Sequence, residues 1–536
     1  MMNTPLVGPN ISAVSATANP LPRRKLPIGI QTFREIREEG HYYVDKTGFA
    51  MRLVSAGKYY FLSRPRRFGK SLFLDTLKEM FEGNQKLFTG LAAENSWDWS
   101  KRYPVLRISF GAGVLSSLTD LGQSLHQQLT ALERQFGLQA EFPDVRSRFK
   151  ELISRVAAQT GQRVVVLVDE YDKPILDRIE QSDIALMMRE ALKDLYSVLK
   201  DSDAYLKFVF LTGVSKFSKV SLFSGLNNLT DITLDARYSD ICGYTDADVD
   251  SVFAPELPGL DRQQIRDWYN GYNWLGAAVY NPFGLLQLFD KRKINPYWFE
   301  TGTPSFLIKI LAQRHQFTPD LSHIVASETL LSTFDVDNIP AEALLFQAGY
   351  LTIDSVTEMP GRTRYKLKYP NLEVQSALND SLLQSLTGDS SKPGAHISQL
   401  YELLQRSDFV GLKQLFHAFY ASIANDWYRK NELASFEGYY ASIFYSYFAA
   451  LGLELRLEDA TNQGRIDLTL LFPGQVFLFE FKVVELAPNG QALQQLKDRS
   501  YADKYLARGE PIHLIGVEFS KASRNIVAFD VQTLSV

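Results

Sequence analysis

Residues 61–73 read Phe-Leu-Ser-Arg-Pro-Arg-Arg-Phe-Gly-Lys-Ser-Leu-Phe, and this stretch gives the strongest indication of the first fold. The apolar run Tyr59–Leu62 predicts a short buried strand, and the spacing of apolar residues from Ser71 to Phe81 predicts a helix. A strand that leads through Gly-Lys-Ser into a helix matches the end of the P-loop pattern, in which backbone N–H groups and a helix N-terminus bind phosphate. The stretch therefore predicts a phosphate-binding turn.

Four residues of this turn have an expected role in binding ATP. Gly69 would let the backbone approach a phosphate, Lys70 would reach the β- and γ-phosphates, and Ser71 would hold Mg²⁺. Arg67 adds positive charge beside them. The loop departs from the general pattern because Arg64 stands where the first glycine is expected. The alternative is a basic turn that only caps a helix.

Two further strand-like runs end on polar residues. Val164–Val168 ends on Asp169 and Glu170, and in P-loop enzymes one such acid holds Mg²⁺ while a neighbouring Glu activates the attacking water. Asp169 would take the first role and Glu170 the second, catalytic one. The run 208–211 is followed by Thr212, which could sense the γ-phosphate. The alternatives are an ordinary polar strand end and a plain loop start.

Strand-like and helical runs alternate from residue 26 to residue 245. Residues 105–110 predict another strand, and residues 118–136, 144–160 and 184–199 predict helices. This alternation predicts a parallel sheet covered by helices on both faces. We therefore expect an α/β multidomain protein that begins with a P-loop NTPase-like sheet.

Residues 464–482 read Gly-Arg-Ile-Asp-Leu-Thr-Leu-Leu-Phe-Pro-Gly-Gln-Val-Phe-Leu-Phe-Glu-Phe-Lys and predict a hairpin. If Pro473-Gly474 is its loop, Asp467 lies directly opposite Glu480, and Lys482 shares the face of Glu480. The other face is expected to be core: Ile466, Leu468, Leu470 and Phe472 on one strand, and Phe477, Phe479 and Phe481 on the other. A different register would separate the two acids.

Two carboxylates that face each other on an apolar hairpin repel unless a cation lies between them or one is protonated. Mg²⁺ is the expected cation for Asp467 and Glu480, and Mn²⁺ would also suit oxygen ligands. Lys482 would position a water or stabilise the charge that develops during phosphodiester cleavage. The alternative is a pair of structural acids in salt bridges with Arg465 or Lys482.

Two helical residues could assist this hairpin. Glu437 opens a helical run over 438–451 and could reach the same ion. Gln495 falls in a helix predicted over 491–506 and could orient Lys482 or a phosphate. For both residues the simpler interpretation is a solvated side chain.

The composition excludes several classes of protein. The chain has 536 residues and a net charge of −4, so a nucleic-acid site must be a local patch. Cys242 is its one cysteine, which excludes internal disulfides and cysteine-rich metal sites and favours a cytoplasmic location. Its seven histidines show no ligand-like spacing. No run approaches the roughly 20 apolar residues of a membrane span, so no membrane contact is expected.

The chain divides into six expected units. They are a flexible tail (1–25), a P-loop NTPase-like nucleotide-binding domain (26–245), a helical lid (246–330), a winged-helix-like module (331–390), a helical linker (391–431) and a second α/β domain that carries the carboxylate hairpin (432–536). Six residues between positions 237 and 274 have both a functional and a simpler interpretation. Trp268, Tyr269, Tyr272 and Trp274 could stack bases but are more typical of core, and Arg237 and Arg262 could contact phosphates across a homo-oligomer or simply be solvated.

These motifs together resemble a bacterial family that joins an AAA-ATPase-like domain to a C-terminal PD-(D/E)XK nuclease domain. The resemblance runs from Leu26 over nearly the whole chain. Its most specific segments are Tyr43–Thr47, Arg64–Ser71, Asp169–Pro174, Thr212–Lys219, Phe223–Asn228, Trp268–Tyr272 and Thr301–Pro304. It implies a restriction-endonuclease-like α/β fold at the C-terminus. It also implies the nucleotide, Mg²⁺ and nuclease roles given above for Lys70, Ser71, Asp169, Glu170, Asp467, Glu480 and Lys482, with Glu437 and Gln495 as helical companions.

The leading hypothesis is a hydrolase: a cytoplasmic, nucleotide-controlled, Mg²⁺-dependent nuclease with an ATPase-like domain. Its partner would be nucleic acid, DNA rather than RNA, and defence or processing of mobile elements would be reasonable roles. The alternative hypothesis is an ATP-binding signalling or scaffold protein whose nuclease-like domain does not cleave.

Overall fold

A computed structural model describes residues 22–216, 226, 228–302, 324–328, 331, 340–387, 392–422 and 437–535. Most of the expected tail lies outside these ranges. Its described end contacts the protein, because Arg23 Nε lies 3.2 Å from the carbonyl oxygen of Pro255 and Lys25 forms a β-bridge with His41. The expected flexible tail spans residues 1–25, and its described end thus touches two parts of the chain, near Pro255 in the middle region and at His41 in the first unit.

The first unit is built on a five-stranded sheet in the order β2-β3-β4-β1-β5, and every pair is parallel. Its strands are β1 (Tyr59–Ser63), β2 (Val105–Ser109), β3 (Val164–Asp169), β4 (Leu206–Gly213) and β5 (Thr230–Asp231). Its helices are α1 (Phe33–Glu38), α2 (Thr47–Ala56), α3 (Lys70–Phe81), α4 (Leu118–Gln135), α5 (Val145–Thr160), α6 (Lys173–Leu176) and α7 (Ser182–Asp201). The predicted parallel α/β fold is confirmed.

Burial of the strand residues and side-chain capping of the helices explain why these segments form their secondary structure. All residues of β1 and β3 are buried, as expected for central strands that helices cover on both faces. The Ser117 and Asp144 side chains accept N–H bonds at the starts of α4 and α5. Short 3₁₀ helices occur at Gln85–Phe88, Asp203–Tyr205, Ala236–Tyr238, Ala254–Glu256 and Tyr501–Arg508.

The middle of the chain combines short helices with a small antiparallel sheet, ordered β6-β8-β7. Its elements are α8 (Asp246–Val252), α9 (Arg262–Tyr269), α10 (Pro282–Lys291), α11 (Tyr297–Gly302), β6 (Val325–Ser327), α12 (Ala341–Ala348), β7 (Thr352–Met359), β8 (Arg362–Lys368) and α13 (Leu372–Thr387). The expected helix and hairpin are present. β6 precedes residue 331, where the winged-helix-like module was expected to begin, yet it pairs with β8.

The last unit has a five-stranded mixed sheet in the order β13-β12-β11-β10-β9, in which only β11 and β12 are parallel among the described pairs. Its elements are α14 (Lys392–Gln405), α15 (Phe409–Ser422), α16 (Glu437–Ala450), β9 (Glu454–Thr461), β10 (Gly464–Phe472), β11 (Gln475–Val484), α17 (Gln491–Asp498), β12 (Ile512–Ser520) and β13 (Asn525–Leu534). A second α/β domain is confirmed.

Two local expectations in this unit differ from the structure. Helices α14 and α15 were expected to be a linker, but Leu404 and Phe416 share one hydrophobic core with Phe479 of the sheet. The single helix expected over 491–506 is broken: α17 ends at Asp498, and Ser500 takes a left-handed conformation with φ 46° before the chain turns into a 3₁₀ helix. A left-handed residue cannot continue a right-handed helix.

Candidate functional site

A cavity of about 540 Å³ lies where the strands of the first sheet end. The loop after β1 supplies Arg67, Gly69, Lys70 and Ser71 to its wall, and the end of β3 supplies Glu170. Its volume is in the range of small-molecule and cofactor sites, about 300–1,000 Å³. The structure therefore brings these five predicted nucleotide-site residues to one cavity.

Lys70 folds back onto its own loop. Its ammonium group donates to the carbonyl oxygens of Arg64 and Pro65, each at 2.9 Å. Burial lowers the pKa of Lys70, while Asp169 and Glu170 act in the opposite direction. Phosphate oxygens could take the place of the two carbonyls, since both are acceptors for the same ammonium group.

Arg64, at the position of the missing glycine, has a structural role. Its side chain is fully buried, and its guanidinium donates to the carbonyl oxygens of Ser63, Thr233 and Tyr238 at 2.8–3.1 Å. The guanidinium carbon also lies 4.1 Å from the ring centroid of Trp274. Burial lowers the pKa of Arg64 to about 10, so the group stays charged at neutral pH. Arg64 thus supports the loop from beneath, and the cavity is lined by the residues after it.

Those residues adopt the backbone geometry of a tight loop that opens a helix. Arg67 and Gly69 both have positive φ angles, 66° and 92°. The guanidinium carbon of Arg67 lies 4.8 Å from the ring centroid of Phe283, on the opposite wall of the cavity. Gly69 precedes the first residue of α3, so Ser71 lies in the first turn, where N–H groups are unpaired within the helix.

Asp169 and Glu170 differ in their exposure to the cavity. Asp169 is 2% exposed; its Oδ2 lies 3.4 Å from Arg107 Nη2, and its Oδ1 has no hydrogen-bond partner among the residues that the structure describes. Glu170 forms part of the cavity wall, and burial raises the pKa of its carboxyl against the opposing effect of Lys70. A buried carboxylate oxygen without a donor suits a cation, so Asp169 and Ser71 fit the Mg²⁺ of a bound nucleotide.

Thr212 lies away from the cavity wall. Its hydroxyl is buried and donates to the carbonyl oxygen of Leu62 at 2.9 Å. The loop that follows it is held by Asp172, whose carboxylate accepts the N–H groups of Val214 and Ser215 at 3.0 and 2.6 Å. Burial raises the pKa of Asp172. Our sequence analysis missed Asp172, although the third acid in Asp-Glu-Tyr-Asp was a visible signal.

The C-terminal hairpin has the expected register. Leu468 pairs with Phe479, and Phe472 pairs with Gln475, so the predicted register is confirmed for these five pairs. The same register, continued by one pair, would set Asp467 opposite Glu480. The carboxylate of Asp467 accepts the backbone N–H of Phe481 at 2.8 Å, which places it beside the strand of Glu480. The facing of the two acids stays a prediction.

Three of the predicted nuclease residues, Glu480, Lys482 and Gln495, meet at the carboxylate of Glu480, whose side chain is 1% exposed. Lys482 Nζ lies 3.0 Å from Glu480 Oε1, and Gln495 donates to the same oxygen. Gln495 was expected to orient Lys482 or a phosphate, and it instead contacts the acid. The side chain of Glu437, at the start of α16, lies outside the described residues.

The faces of the hairpin differ from expectation at one residue. The six other apolar residues expected on the core face share one cluster, but Ile466 packs with Leu478 and Leu496 on the opposite face. The ladder between β10 and β9 is interrupted at Asp467, opposite Glu458, which has a left-handed conformation with φ 45°. This interruption is the reason that Ile466 lies on the opposite face. Glu480 therefore lies on the face that α17 covers.

Two residues of β12 dock α17 onto this face, and our sequence analysis missed both. Glu518 is 1% exposed and accepts the N–H of Asn489 at 2.7 Å and, weakly, that of Ala492 at 3.4 Å. Gly516 pairs with Glu480, and a Cβ at Gly516 would meet the backbone nitrogen of Leu493 at 2.2 Å. The helix rests directly on the glycine, which brings Gln495 within reach of Glu480.

The donor set of the hairpin suits a hard divalent cation. Within the described ranges, no three His, Cys, Asp or Glu side chains form a group able to hold a metal ion. Mg²⁺ needs fewer, because it is usually bound through one or two carboxylates and keeps several waters. Asp467 and Glu480 therefore fit Mg²⁺.

The other candidates have structural partners. Tyr269, Tyr272 and Trp274 are at most 4% exposed, so the expectation that they are core is confirmed. Arg237 pairs with Asp235 at 2.6 Å, and Arg262 pairs with Asp246 at 2.5 Å and with Asp250 at 2.8 Å.

A parallel sheet with a phosphate-loop cavity, followed by a mixed sheet with a buried carboxylate hairpin, defines a two-domain protein of the ATPase-like and nuclease-like class. The chain belongs to the bacterial family that joins these domains: the "Predicted AAA-ATPase" model matches residues 27–223, and the "PD-(D/E)XK nuclease superfamily" model matches residues 435–529. The chain is 62% identical over 513 residues to the "Uncharacterized protein in vnfD 5'region" of Azotobacter chroococcum mcd 1, covering 96% of this chain and 99% of the relative. No solved structure matches. None of the described helices combines the length and apolar character that crossing a membrane requires.

Proposed function

We propose that the chain is a cytoplasmic, nucleotide-controlled, Mg²⁺-dependent nuclease that cleaves phosphodiesters, those of DNA in preference to RNA. The observation that carries this proposal is the meeting of Glu480, Lys482 and Gln495 at one carboxylate of a hairpin whose register, continued by one pair, sets Asp467 opposite Glu480. Buried acids that face each other are costly without a cation, and two carboxylates beside a lysine suit phosphodiester cleavage.

The roles of these side chains follow from their contacts. A bound Mg²⁺ would lower the pKa of its water and neutralise phosphate charge. Asp467 and Glu480 would hold the ion, and Gln495 keeps the Glu480 carboxylate oriented through its side-chain N–H. Lys482 lies beside Glu480 and is about a quarter exposed, so its ammonium group can turn towards a substrate phosphate.

Cleavage is tested with Asp467→Asn, which keeps the size of the side chain and removes its charge. We expect a loss of at least about 100-fold in Mg²⁺-dependent cleavage of labelled DNA and RNA, since one side-chain ligand of the ion is lost. Asp503→Asn, at an exposed aspartate of the same domain, is the matched control. Equal cleavage by Asp467→Asn and the parent would contradict the proposal. Absence of both cleavage and Mg²⁺ binding in the parent would favour the scaffold alternative.

ATP is the proposed nucleotide, with Arg67, Lys70 and Ser71 on its phosphates and Asp169 beside Ser71 at its Mg²⁺. Glu170 is the proposed base for hydrolysis, because it is the one of the two acids at the end of β3 that reaches the cavity wall. We expect Glu170→Gln to bind ATP and to release phosphate at least about 100-fold more slowly than the parent, since general-base catalysis contributes about 10²–10⁴-fold. Equal release by parent and variant would mean that Glu170 is not the base.

Nucleotide control is supported by contacts that join the phosphate loop to the middle of the chain. The indole N–H of Trp298 donates to the carbonyl oxygen of Arg66 at 2.9 Å, and the backbone N–H of Trp298 donates to Glu373 at 2.7 Å. A Cβ at Gly349 would meet the Pro65 ring at 2.7 Å, so α12 also ends against this loop. A shift of the loop on nucleotide binding must therefore displace Trp298 and its partners.

The same path reaches the last unit through α13, which begins beside Glu373. The Gln375 side chain donates to the Tyr445 hydroxyl at 2.9 Å, and the Ser376 hydroxyl donates to the carbonyl oxygen of Ala450, also at 2.9 Å. Both acceptors belong to α16, which packs under the hairpin sheet. Contiguous packing of this kind can couple two sites, and a coupling measurement is needed to demonstrate it.

The coupling is tested with Trp298→Phe, which keeps an aromatic ring and removes the indole donor. We expect ATP binding to remain and the ATP-dependence of DNA cleavage to diminish. Trp99→Phe is the matched control, because Trp99 makes the same kind of bond, to the carbonyl oxygen of Glu94 at 2.8 Å, away from the loop. An unchanged ATP-dependence in Trp298→Phe would contradict this path.

A further inference from the structure

One face of the small middle sheet is strongly basic. On β8, Arg362, Arg364, Lys366 and Lys368 alternate with residues of the other face, and all four are exposed. Tyr365 and Leu367, between them, are buried. Alternate residues on an antiparallel strand are about 6.8 Å apart, so the four cations form a row about 20 Å long.

Acidic residues are largely segregated to the opposite face. Glu358 pairs with Thr363, which places it on that face, and Glu328 follows Ser327, the strand partner of Arg364. Burial raises the pKa of Tyr365, and both acids raise it further, as expected if they share its face. The basic face and the acidic face of the sheet are therefore distinct.

Charge on the basic face is only partly neutralised. Asp354 pairs with Lys366 at 3.4 Å and with Lys368 at 2.9 Å, so two lysines share one carboxylate. Arg362 and Arg364 form no ion pair with any residue that the structure describes. Like charges in a row along a strand repel and do not stabilise the sheet. An external anion would relieve this repulsion.

We propose that this basic face of β8 binds the phosphate backbone of the nucleic acid that the chain cleaves, which rests on the proposed nuclease function. Charge complementarity identifies the occupant: two unpaired arginines are suited to bidentate phosphate contacts, and the lysines extend the row. A row about 20 Å long matches about six nucleotides of one strand at 3.4 Å each. Contacts to phosphate alone position a duplex without reading its sequence.

The surface is joined through the chain to the path between the two proposed sites. β7 and β8 are followed directly by α13, whose Gln375 and Ser376 contact α16. Nucleic acid held on β8 would therefore lie one short connection away from the helix that joins the phosphate loop to the last unit. The basic face of β8 would provide a contact to nucleic acid outside the hairpin. Because the chain has a net charge of −4, such a contact has to come from a local basic patch.

The proposal is tested by equilibrium binding of a fluorescein-labelled DNA duplex to full-length Asp467→Asn protein, followed by anisotropy at several salt concentrations without ATP. The test variant adds Arg362→Gln and Arg364→Gln. We expect weaker binding and a salt slope of log K against log [salt] that is smaller by about 1.8, because each lost phosphate contact contributes about 0.9. The control adds Lys86→Gln and Arg134→Gln, two exposed cations without an ion pair among the described residues, and should bind like the parent.

The outcomes separate this proposal from the nuclease function. Equal affinity and slope in the arginine variant and the control would overturn the basic face as a binding surface, while cleavage by the wild-type chain, measured in parallel, would leave the nuclease proposal standing. If the Asp467→Asn protein does not bind the duplex at all, the basic face is overturned as a binding surface. If the wild-type chain also fails to cleave DNA, the nuclease proposal is overturned as well. Lys366→Gln with Lys368→Gln is the second variant, expected to give a smaller effect because Asp354 already neutralises part of this pair.

Discussion

Adding one methyl group at Gly516 should disable cleavage while leaving the fold in place. A Cβ there would lie 2.2 Å from the backbone nitrogen of Leu493, whereas ordinary contacts begin at 3.4 Å, so α17 must retreat by about 1 Å. Gln495 lies on that helix and would move away from Glu480. A misplacement of about 1 Å at a reacting centre can cost about 100-fold in rate, and overpacking costs about 1–3 kcal/mol of stability.

Gly516→Ala is assayed by the initial rate of Mg²⁺-dependent DNA cleavage and by urea unfolding of the full chain. Gly122→Ala is the control, because Gly122 lies in α4 with nothing within 4 Å of the new Cβ. That change should stabilise the first unit by up to about 1 kcal/mol through helix propensity and leave cleavage unchanged. Parent-like cleavage by Gly516→Ala, with normal stability, would refute the reasoning that α17 is held on β12 to position Gln495.

Three further predictions concern buried polar groups. Burial lowers the pKa of His513. The stability contributed by its neutral form is therefore present above the unfolded pKa of about 6.5 and is lost as the pH falls, by at most about 1.4 kcal/mol per pH unit for one proton. His513→Gln should reduce this decline, as measured by urea unfolding at stepped pH. Asp172→Asn should cost about 1.5–3 kcal/mol in thermal unfolding and slow phosphate release, whereas exposed Asp183→Asn should change neither. Arg148→Met leaves the buried carboxylate of Glu133 without its partner and should cost about 3–5 kcal/mol, most of which Arg148→Met with Glu133→Leu should recover.

The sheets and the hairpin register were predictable because local patterns determine them. Val164–Val168 is an uninterrupted β-branched and aliphatic run, which indicates a strand buried on both faces. The loop Pro473-Gly474 contains two residues, and a two-residue loop fixes every later pair of a hairpin. The register of the five pairs from Leu468–Phe479 to Phe472–Gln475 therefore followed from arithmetic along one short segment.

The role of Arg64 was not predictable in the same way. A buried arginine is rare, and the sequence pattern of this loop indicates phosphate contact. Its acceptors at Thr233 and Tyr238 lie about 170 residues further along the chain. The Trp274 ring that its guanidinium contacts lies further along the chain than either acceptor. The docking of α17 is a similar case, because the pattern of a strand does not show which helix will cover each of its faces.

The contacts at Glu480 link the binding of a divalent ion to the freedom of Lys482. In the structure the ammonium group of Lys482 compensates the buried carboxylate, which would otherwise be costly. A divalent ion held by Asp467 and Glu480 would supply the same compensation and would leave the ammonium group of Lys482 freer to turn towards the solvent side. By linkage, the lysine would then be available to a substrate phosphate to the extent that the ion binds. Under the proposed function, the lysine and the metal would be parts of one equilibrium, which is a physical reason to expect the proposed cleavage to require the ion.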